Sequence, residues 1–328
     1  MVHMTILLSY AIWLFTFQVH TATASLYYDP ELCGKPLRKS DQHANSTFKR
    51  NGVKTRLMNG TNTFWGEVPW AVAIFKSEKL MCGGVLISKK HVVTAAHCFN
   101  RQQQIDIENC DADSVLKDRE IMEEFTIGYG SNCLSKSYDP ECINSPPIKN
   151  TRIVRVQIGR FYESGCEHSD IALLELEDQI GERDANYACL PNRLIPHTEG
   201  KLASFGWGAN PIVGTKYSNI LQTLTFRRLM PLKECRKRWM DLPRDALCTF
   251  EKPTKNLCTA DSGGGLLIQN TDERWIVLGV ISFGTSCYDL FSAKSRPRAQ
   301  VYTSLWYHNA DIDSFIGDRL SHIRIDDD

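Results

Sequence analysis

Three polar residues in this 328-residue chain have the types and surroundings that acyl transfer requires. Ser262 lies in Cys258-Thr259-Ala260-Asp261-Ser262-Gly263-Gly264-Gly265, where small residues permit a tight turn, positive φ and close approach of another backbone. Asp261 beside it offers a charge that would lock the loop once it met a cation. His97 ends Val93-Thr94-Ala95-Ala96-His97-Cys98, at a strand end beside a cysteine. Asp170 opens Ser169-Asp170-Ile171-Ala172-Leu173-Leu174, whose apolar residues would root it in a core. Hydrolysis of an amide or ester by a serine needs a base for the hydroxyl proton, a carboxylate to orient that base, and donors for the oxyanion. Each residue alone also has an ordinary reading. Glycine-rich turns with a serine are common loops, a histidine beside a cysteine is often structural, and an aspartate at a strand start often serves a turn.

The elements that would position these residues are short and mostly extended. Apolar, β-prone runs recur between turn signals at Ala71 to Phe75, Gly84 to Ile87, Val92 to Ala95, Ile153 to Ile158, Ile171 to Leu176, Lys201 to Phe205, Leu221 to Phe226 and Trp275 to Phe283. Many short strands separated by Gly, Pro and Asn predict an all-β sandwich or barrel. One helix stands out, from about Asn309 to His322, where Ile312, Phe315, Ile316 and Leu320 repeat at helical spacing and Asp311 and Asp313 favour the first turn. Asn100 to Ile153 reads as a stretch of low β character holding Cys110, Cys133 and Cys142, with a helical piece at Asp118 to Phe125. That stretch is read as an insertion stapled by disulfides.

Composition narrows the setting. The chain has 38 basic and 38 acidic residues, so no net charge favours nucleic acid or an anionic membrane surface. Arg227-Arg228 and Arg236-Lys237-Arg238 read as solvated faces. Twelve cysteines, none in C-x-x-C pairs, point to a disulfide framework rather than metal ligation. Ile6 to Phe17 is an apolar run followed by Ala22-Thr23-Ala24, the pattern of a secretory signal peptide over residues 1–24. A membrane anchor is the other reading, but the run is short for a bilayer span, and no other stretch is long enough. Residues 25–56 are polar and irregular, and Asn45-Ser46-Thr47 is a glycosylation sequon, which makes Asn45 an expected surface site. Lys54-Thr55-Arg56 then gives way to Leu57-Met58-Asn59-Gly60, readable as a processing site or as a basic linker.

Taken together, and in the order His, Asp, Ser, these segments resemble the trypsin/chymotrypsin-like serine protease family, whose catalytic roles are a worked template of enzymology. The resemblance runs from Leu57 to the C-terminus. It is carried by Thr94-Ala95-Ala96-His97-Cys98, Asp170-Ile171-Ala172-Leu173-Leu174, Gly206-Trp207-Gly208, Asp261-Ser262-Gly263-Gly264, Ser282-Phe283-Gly284 and Val301-Tyr302-Thr303. The long stapled insertion and the tail around Trp306 suggest a divergent branch, the nematode-type one. The resemblance implies an all-β fold of two six-stranded antiparallel barrels with a C-terminal α-helix and a site in the cleft between them. It implies Ser262 as nucleophile, His97 as general base and acid, and Asp170 as the orienting carboxylate with Ser282 behind it. The backbone N–H groups of Ala260 and Ser262 would form the oxyanion hole. Residues 25–56 would be a propeptide and 57–328 the protease domain, with the insertion near 100–152. Cleavage after Arg56 would free the Leu57 amine to pair with Asp261. The implied bridges are Cys82–Cys98, Cys235–Cys248, Cys258–Cys287 and Cys33–Cys189, the last keeping the propeptide attached. Cys110, Cys133, Cys142 and Cys166 are left with three possible connectivities.

The chain departs from the family pattern at two places that matter. Ala260 stands where glycine is nearly universal, and its Cβ resists positive φ. Losing one oxyanion donor typically costs about a hundred- to a thousandfold in rate. The primary pocket would be formed by Asn256 at its base, Gln300 on its wall, and Ser282 and Gly284. An aspartate is absent at the base, so the resemblance does not imply a preference for Arg or Lys, and Gln300 would partly fill the space. Gly265 also replaces a usual proline. The expected function is a secreted, zymogen-type serine endopeptidase working through an acyl-enzyme on protein or peptide substrates. It would need no cofactor or metal, would be activated by another protease, and would be open to protein inhibitors. The alternative is a protease-fold binding or regulatory protein with little turnover. A non-protease esterase would carry its serine in G-x-S-x-G, which is absent here.

Overall fold

A computed structural model describes residues 27–37, 58, 60–102, 110–135, 142–192, 200–212, 214 and 217–317. The signal-peptide run, Asn45, Arg56 and Leu57 lie outside them.

Strands β1 to β13 are Thr61–Asn62, Ala71–Lys76, Lys79–Leu86, His91–Thr94, Phe125–Tyr129, Lys149–Ile158, Ala172–Leu176, Lys201–Gly206, Gln222–Phe226, Ala246–Phe250, Gly265–Gln269, Trp275–Phe283 and Ala299–Ser304. Six of them close a barrel in the order β2-β3-β4-β7-β6-β5, every pairing antiparallel. β4 is buried along its whole length, whereas β6 is largely exposed except at Thr151, Ile153 and Val156. The barrel thus hides its apolar side chains inward and keeps one flank wet. The second half is a seven-stranded antiparallel sheet, β1-β9-β8-β11-β12-β13-β10, in which β8 to β13 are joined at one edge by β1 from the N-terminal side. One continuous apolar core runs through both halves, from Val72, Ile74 and Leu174 to Leu266, Val277 and Ile281.

The two ends of the described chain act as straps. Gly34 donates its N–H to the Tyr187 carbonyl, Trp275 donates to Gly34, and Asn186 Nδ2 donates to the Leu32 and Lys35 carbonyls. Cys33, fully buried, is bonded to Cys189. At the other end helix α4, Asn309–Ile316, buries Ile312, Phe315 and Ile316. Phe315 packs edge-on to His91 of β4 and lies under Arg155 of β6, so the C-terminal helix sits against the first barrel. Gly317, at φ 82°, takes the left-handed conformation that ends α4. The helix stops six residues short of the expected His322, which lies outside the described residues together with Leu320.

Several elements differ from the sequence expectation. The stretch from Asn100 to Ile153 contains helix α1, Asp118–Glu124, but also strand β5 and the start of β6. The stretch therefore supplies one whole barrel strand and part of another, rather than being one insertion of low β character. Gly128 hid β5, because glycine weakens a strand pattern; a Cβ there would press on Phe75 and Ile148, so packing requires the gap. Cys110–Cys166 and Cys133–Cys142 bridge the four cysteines that sequence left open, beside Cys82–Cys98, Cys235–Cys248 and Cys258–Cys287. Two short helices, α2 (Leu232–Arg238) and α3 (Cys287–Phe291), were not expected. Each carries a bridged cysteine, and tertiary anchoring of this kind supports helices too short to stand alone.

The Cys33–Cys189 bridge closes a loop with a sequence separation of 156 residues. Replacing both cysteines with alanine should cost about 2–4 kcal/mol, measured by urea unfolding of the non-reduced chain; an unchanged midpoint would contradict this.

Candidate active site

His97 and Asp170 meet because β4 and β7 are neighbours in the barrel. The register pairs His91 with Glu175 and Thr94 with Ala172, so residues just past the end of β4 lie beside those just before β7. His97 occupies a single 3-10 turn, Ala96–Phe99, that Cys98 anchors to Cys82 of β3. Its ring lies close to both sulfurs, but these are bonded to each other and offer no thiolate to a metal. Asp170 is buried, and its carboxylate accepts three hydrogen bonds. The His97 backbone N–H reaches Oδ1 at 2.9 Å, His97 Nδ1 reaches Oδ2 at 2.7 Å, and Ser282 Oγ, from β12 of the second half, reaches Oδ2 at 2.5 Å.

Burial opposes charge on both partners, yet each favours the charge of the other more strongly. Desolvation pushes His97 down, but the Asp170 charge and hydrogen bond leave it above its usual value. Desolvation pushes Asp170 up, and the His97 charge, the His97 and Ser282 hydrogen bonds and the His97 N–H bring it below the usual carboxylate range. An ionised Asp170 that accepts from Nδ1–H leaves Nε2 as the basic nitrogen of a neutral ring.

Ser262 stands on the turn before β11. Its carbonyl accepts the Gly83 N–H of β3 at 2.8 Å, and the next residue, Gly263, donates to Ile281 of β12 at 2.9 Å. Gly263 has φ 77°, and a Cβ on it would collide with Thr94 Oγ1 and crowd the Ala95 N–H. The turn is thus seated on the strand end that leads into His97, which brings Ser262 to the same end of the molecule as His97 and Asp170.

Asp261 has no exposed surface. It accepts only the backbone N–H groups of Gly208, at 2.7 Å, and Cys258, at 2.8 Å; among the described residues no cation faces it. Burial pushes its carboxyl up to about 7. A Cβ at Gly206 or Gly208 would strike this carboxylate, which is the physical reason for the Gly206-Trp207-Gly208 segment. Nearby, Met58 is fully buried, bridges Asn256 and packs on Cys287 and Leu290.

Ala260 adopts φ 71° despite its Cβ. The loop is therefore set in the conformation a glycine would take, at a cost of about 1–2 kcal/mol. Among the described residues the backbone N–H groups of Ala260 and Ser262 have no protein acceptor, so both are available to an incoming oxygen.

The expected pocket residues separate into two groups. Ser282 lies behind Asp170. Asn256 is buried, with Nδ2 unpartnered among the described residues. Gln300, on β13, donates from Nε2 to the Phe283 carbonyl at 2.8 Å, and its Oε1 would be 2.5 Å from a Cβ on Gly284. Its side chain therefore lies along the end of the neighbouring strand β12. Sequence reasoning missed Glu251, whose buried carboxylate accepts the Thr285 N–H at 2.6 Å and the Arg298 N–H at 2.7 Å, tying the segments on both sides of the same region together. No local pattern marks it, because its donors lie far along the chain.

Two variants test these geometries. The folded, uncut chain keeps a proton on Asp261 up to about pH 7, whereas an unfolded carboxyl releases it near about 4. Stability should therefore fall as pH rises through that window. Asp261→Asn should remove this contribution, so that the difference in melting temperature between variant and parent grows from about pH 4 to about pH 7 and then levels. A constant difference would contradict the raised value. Ala260→Gly should relieve about 1–2 kcal/mol of backbone strain while adding about 0.4–1 kcal/mol of unfolded-state freedom. The net gain of up to about 1.6 kcal/mol is measurable by urea unfolding, and a loss of stability would contradict the strain.

A Trypsin family profile matches residues 57–294. Trypsin-like protease try-5 of Caenorhabditis elegans is 33% identical over 333 aligned positions, which cover 92% of this chain and 97% of that protein. Coagulation factor XI of Bos taurus is 27% identical over 263 positions, covering 77% of this chain but only 36% of its own longer sequence. With the barrel, the hydrogen-bonded His97–Asp170–Ser282 chain and the Ser262 turn at one end of it, these similarities lead to one conclusion: the chain belongs to the trypsin family.

Proposed function

We propose that the protein is a secreted, zymogen-type serine endopeptidase that hydrolyses peptide bonds through an acyl-enzyme. The observation that carries this reading is the hydrogen-bonded chain from Ser282 through Asp170 to His97, placed at the strand ends on which the Ser262 turn is seated. Ser262 is the nucleophile. His97 takes its proton on Nε2 and returns it to the leaving amine, and Asp170 holds the ring in the tautomer that makes this possible. The Ala260 and Ser262 N–H groups stabilise the tetrahedral oxyanion. Asn256, Gly284 and Gln300 form the pocket for the side chain on the acyl side of the scissile bond, and Ser282 supports Asp170 from behind.

Activation follows from Asp261. A carboxylate without exposed surface, faced by no cation among the described residues, is costly to ionise, and an amine delivered beside it would restore its charge and fix the loop. Cleavage after Arg56 by an activating protease supplies that amine on Leu57, next to the already buried Met58. Residues 25–56 are then a propeptide that the Cys33–Cys189 bridge retains. Six bridges and the apolar run before Ala22-Thr23-Ala24 support secretion. Ala260 and the altered pocket speak for a binding protein with little turnover, whereas the left-handed conformation of Ala260 supports the enzyme.

The test is covalent labelling by a fluorophosphonate. Chain cleaved after Arg56 should label, at a rate that falls as pH drops through the raised His97 value. Ser262→Ala and the uncut chain should label at least about a hundredfold more slowly. Absence of Ser262-dependent labelling after confirmed cleavage would overturn the proposal.

A further inference from the structure

Asp170 lies two residues before β7, in an unusual stretch of backbone. The residue before it, Ser169, has φ 64°, a conformation that an L-residue keeps only where its surroundings impose it. The constraint comes from across the cleft. The Ser169 N–H donates to Oδ2 of Asp245 at 3.0 Å, and the same oxygen accepts from Nε2 of His308 at 2.9 Å. Both side chains are buried. Asp245 immediately precedes β10, and its carbonyl accepts the Ser304 N–H at 2.8 Å at the end of β13. His308 closes the 3-10 turn that leads into α4. The other charged or titratable neighbours are Asp311, whose Oδ2 is 3.6 Å from His308 Nδ1, and the His168–Arg244 pair, which flanks Ser169 on its other side.

We propose that Asp245 and His308 are positioning residues that hold Ser169 in its left-handed conformation and thereby aim the Asp170 carboxylate at His97. The inference rests on the reading of Asp170 as the orienting carboxylate. A simple clip between the halves would not need a charge here. Asp245 Oδ1 is buried with no partner among the described residues, a penalty that a neutral or apolar contact would avoid. What the arrangement adds is an acceptor able to take two donors on one oxygen, fixed by a histidine that is itself anchored in the terminal helix. Ser282 fixes the carboxylate from one side, and the Asp245–His308 pair fixes the backbone that carries it.

Full-length chain cleaved after Arg56 is compared with His308→Leu, His308→Gln and Asp245→Ala. His308→Leu should slow fluorophosphonate labelling about three- to tenfold at saturating probe, the effect of one buried hydrogen bond lost. In a Ser262→Ala background, NMR should show the His97 imidazole titrating at lower pH when His308 is Leu. His308→Gln, which retains an N–H donor for Asp245, should restore both readouts to within about twofold of the parent. Asp245→Ala removes the acceptor of both donors and should resemble His308→Leu, so it decides the matter if the leucine variant does not fold. Parent-like labelling and parent-like His97 titration in folded His308→Leu or Asp245→Ala would overturn the proposal. The titration needs no turnover, so it decides this inference even if the cleaved parent fails to label, a failure that would count against the proposed enzyme alone.

Discussion

A carboxylate enters a protein interior only where donors replace the water it loses, and much of this molecule is arranged to meet that condition for Asp170. Its donors come from two places that the chain keeps far apart in sequence. His97 belongs to the end of β4 in the first barrel, and Ser282 belongs to β12 in the second sheet. The charge is stable only while the two halves remain in register, so the cleft between them is held by the same bonds that set up its chemistry. The straps serve that register too: the segment through Cys33 is sewn to β12, and α4 lies on β4 and β6.

Asp261 poses the same physical problem with a different solution. It has two backbone donors, no exposed surface and no cation among the described residues, and its carboxyl is pushed to about 7. Two aspartates at one end of the molecule are thus driven apart by their environments, one well ionised and one held close to neutrality. That separation fits the proposed division of labour, in which Asp170 works permanently and Asp261 waits for an amine. The glycines at 206 and 208 are the steric counterpart, since any side chain there would displace the waiting carboxylate.

The barrel strands β2, β4 and β7 are legible because each is a compact run of Val, Ile, Leu and Ala bounded by turn signals. β5, β10, β11 and β13 were not read as strands, for reasons that are local. Gly128 interrupts the first, β11 starts inside the glycine run of Ser262, and β10 and β13 mix small and polar residues. Their strand character comes from their partners, on both sides of β5, β11 and β13 and on one side of the edge strand β10, rather than from propensity. The helices α2 and α3 were hidden in the same way, being held by bridges that no periodicity reports.

By itself the sequence determined which side chains are candidates for chemistry, because serine among glycines, histidine beside cysteine and aspartate before an apolar strand are local patterns of residue type. It also determined that Ala260 would be a strained position, since the conflict between a Cβ and positive φ is a property of one residue. Only the tertiary structure decided which donors reach Asp170, why no cation among the described residues faces Asp261, where Gln300 and Glu251 lie, and how Cys110 and Cys166 find each other. Those are matters of distance between segments remote in the chain. Burial and hydrogen-bond partners arise only when strands from both halves are packed, so no local pattern can carry them.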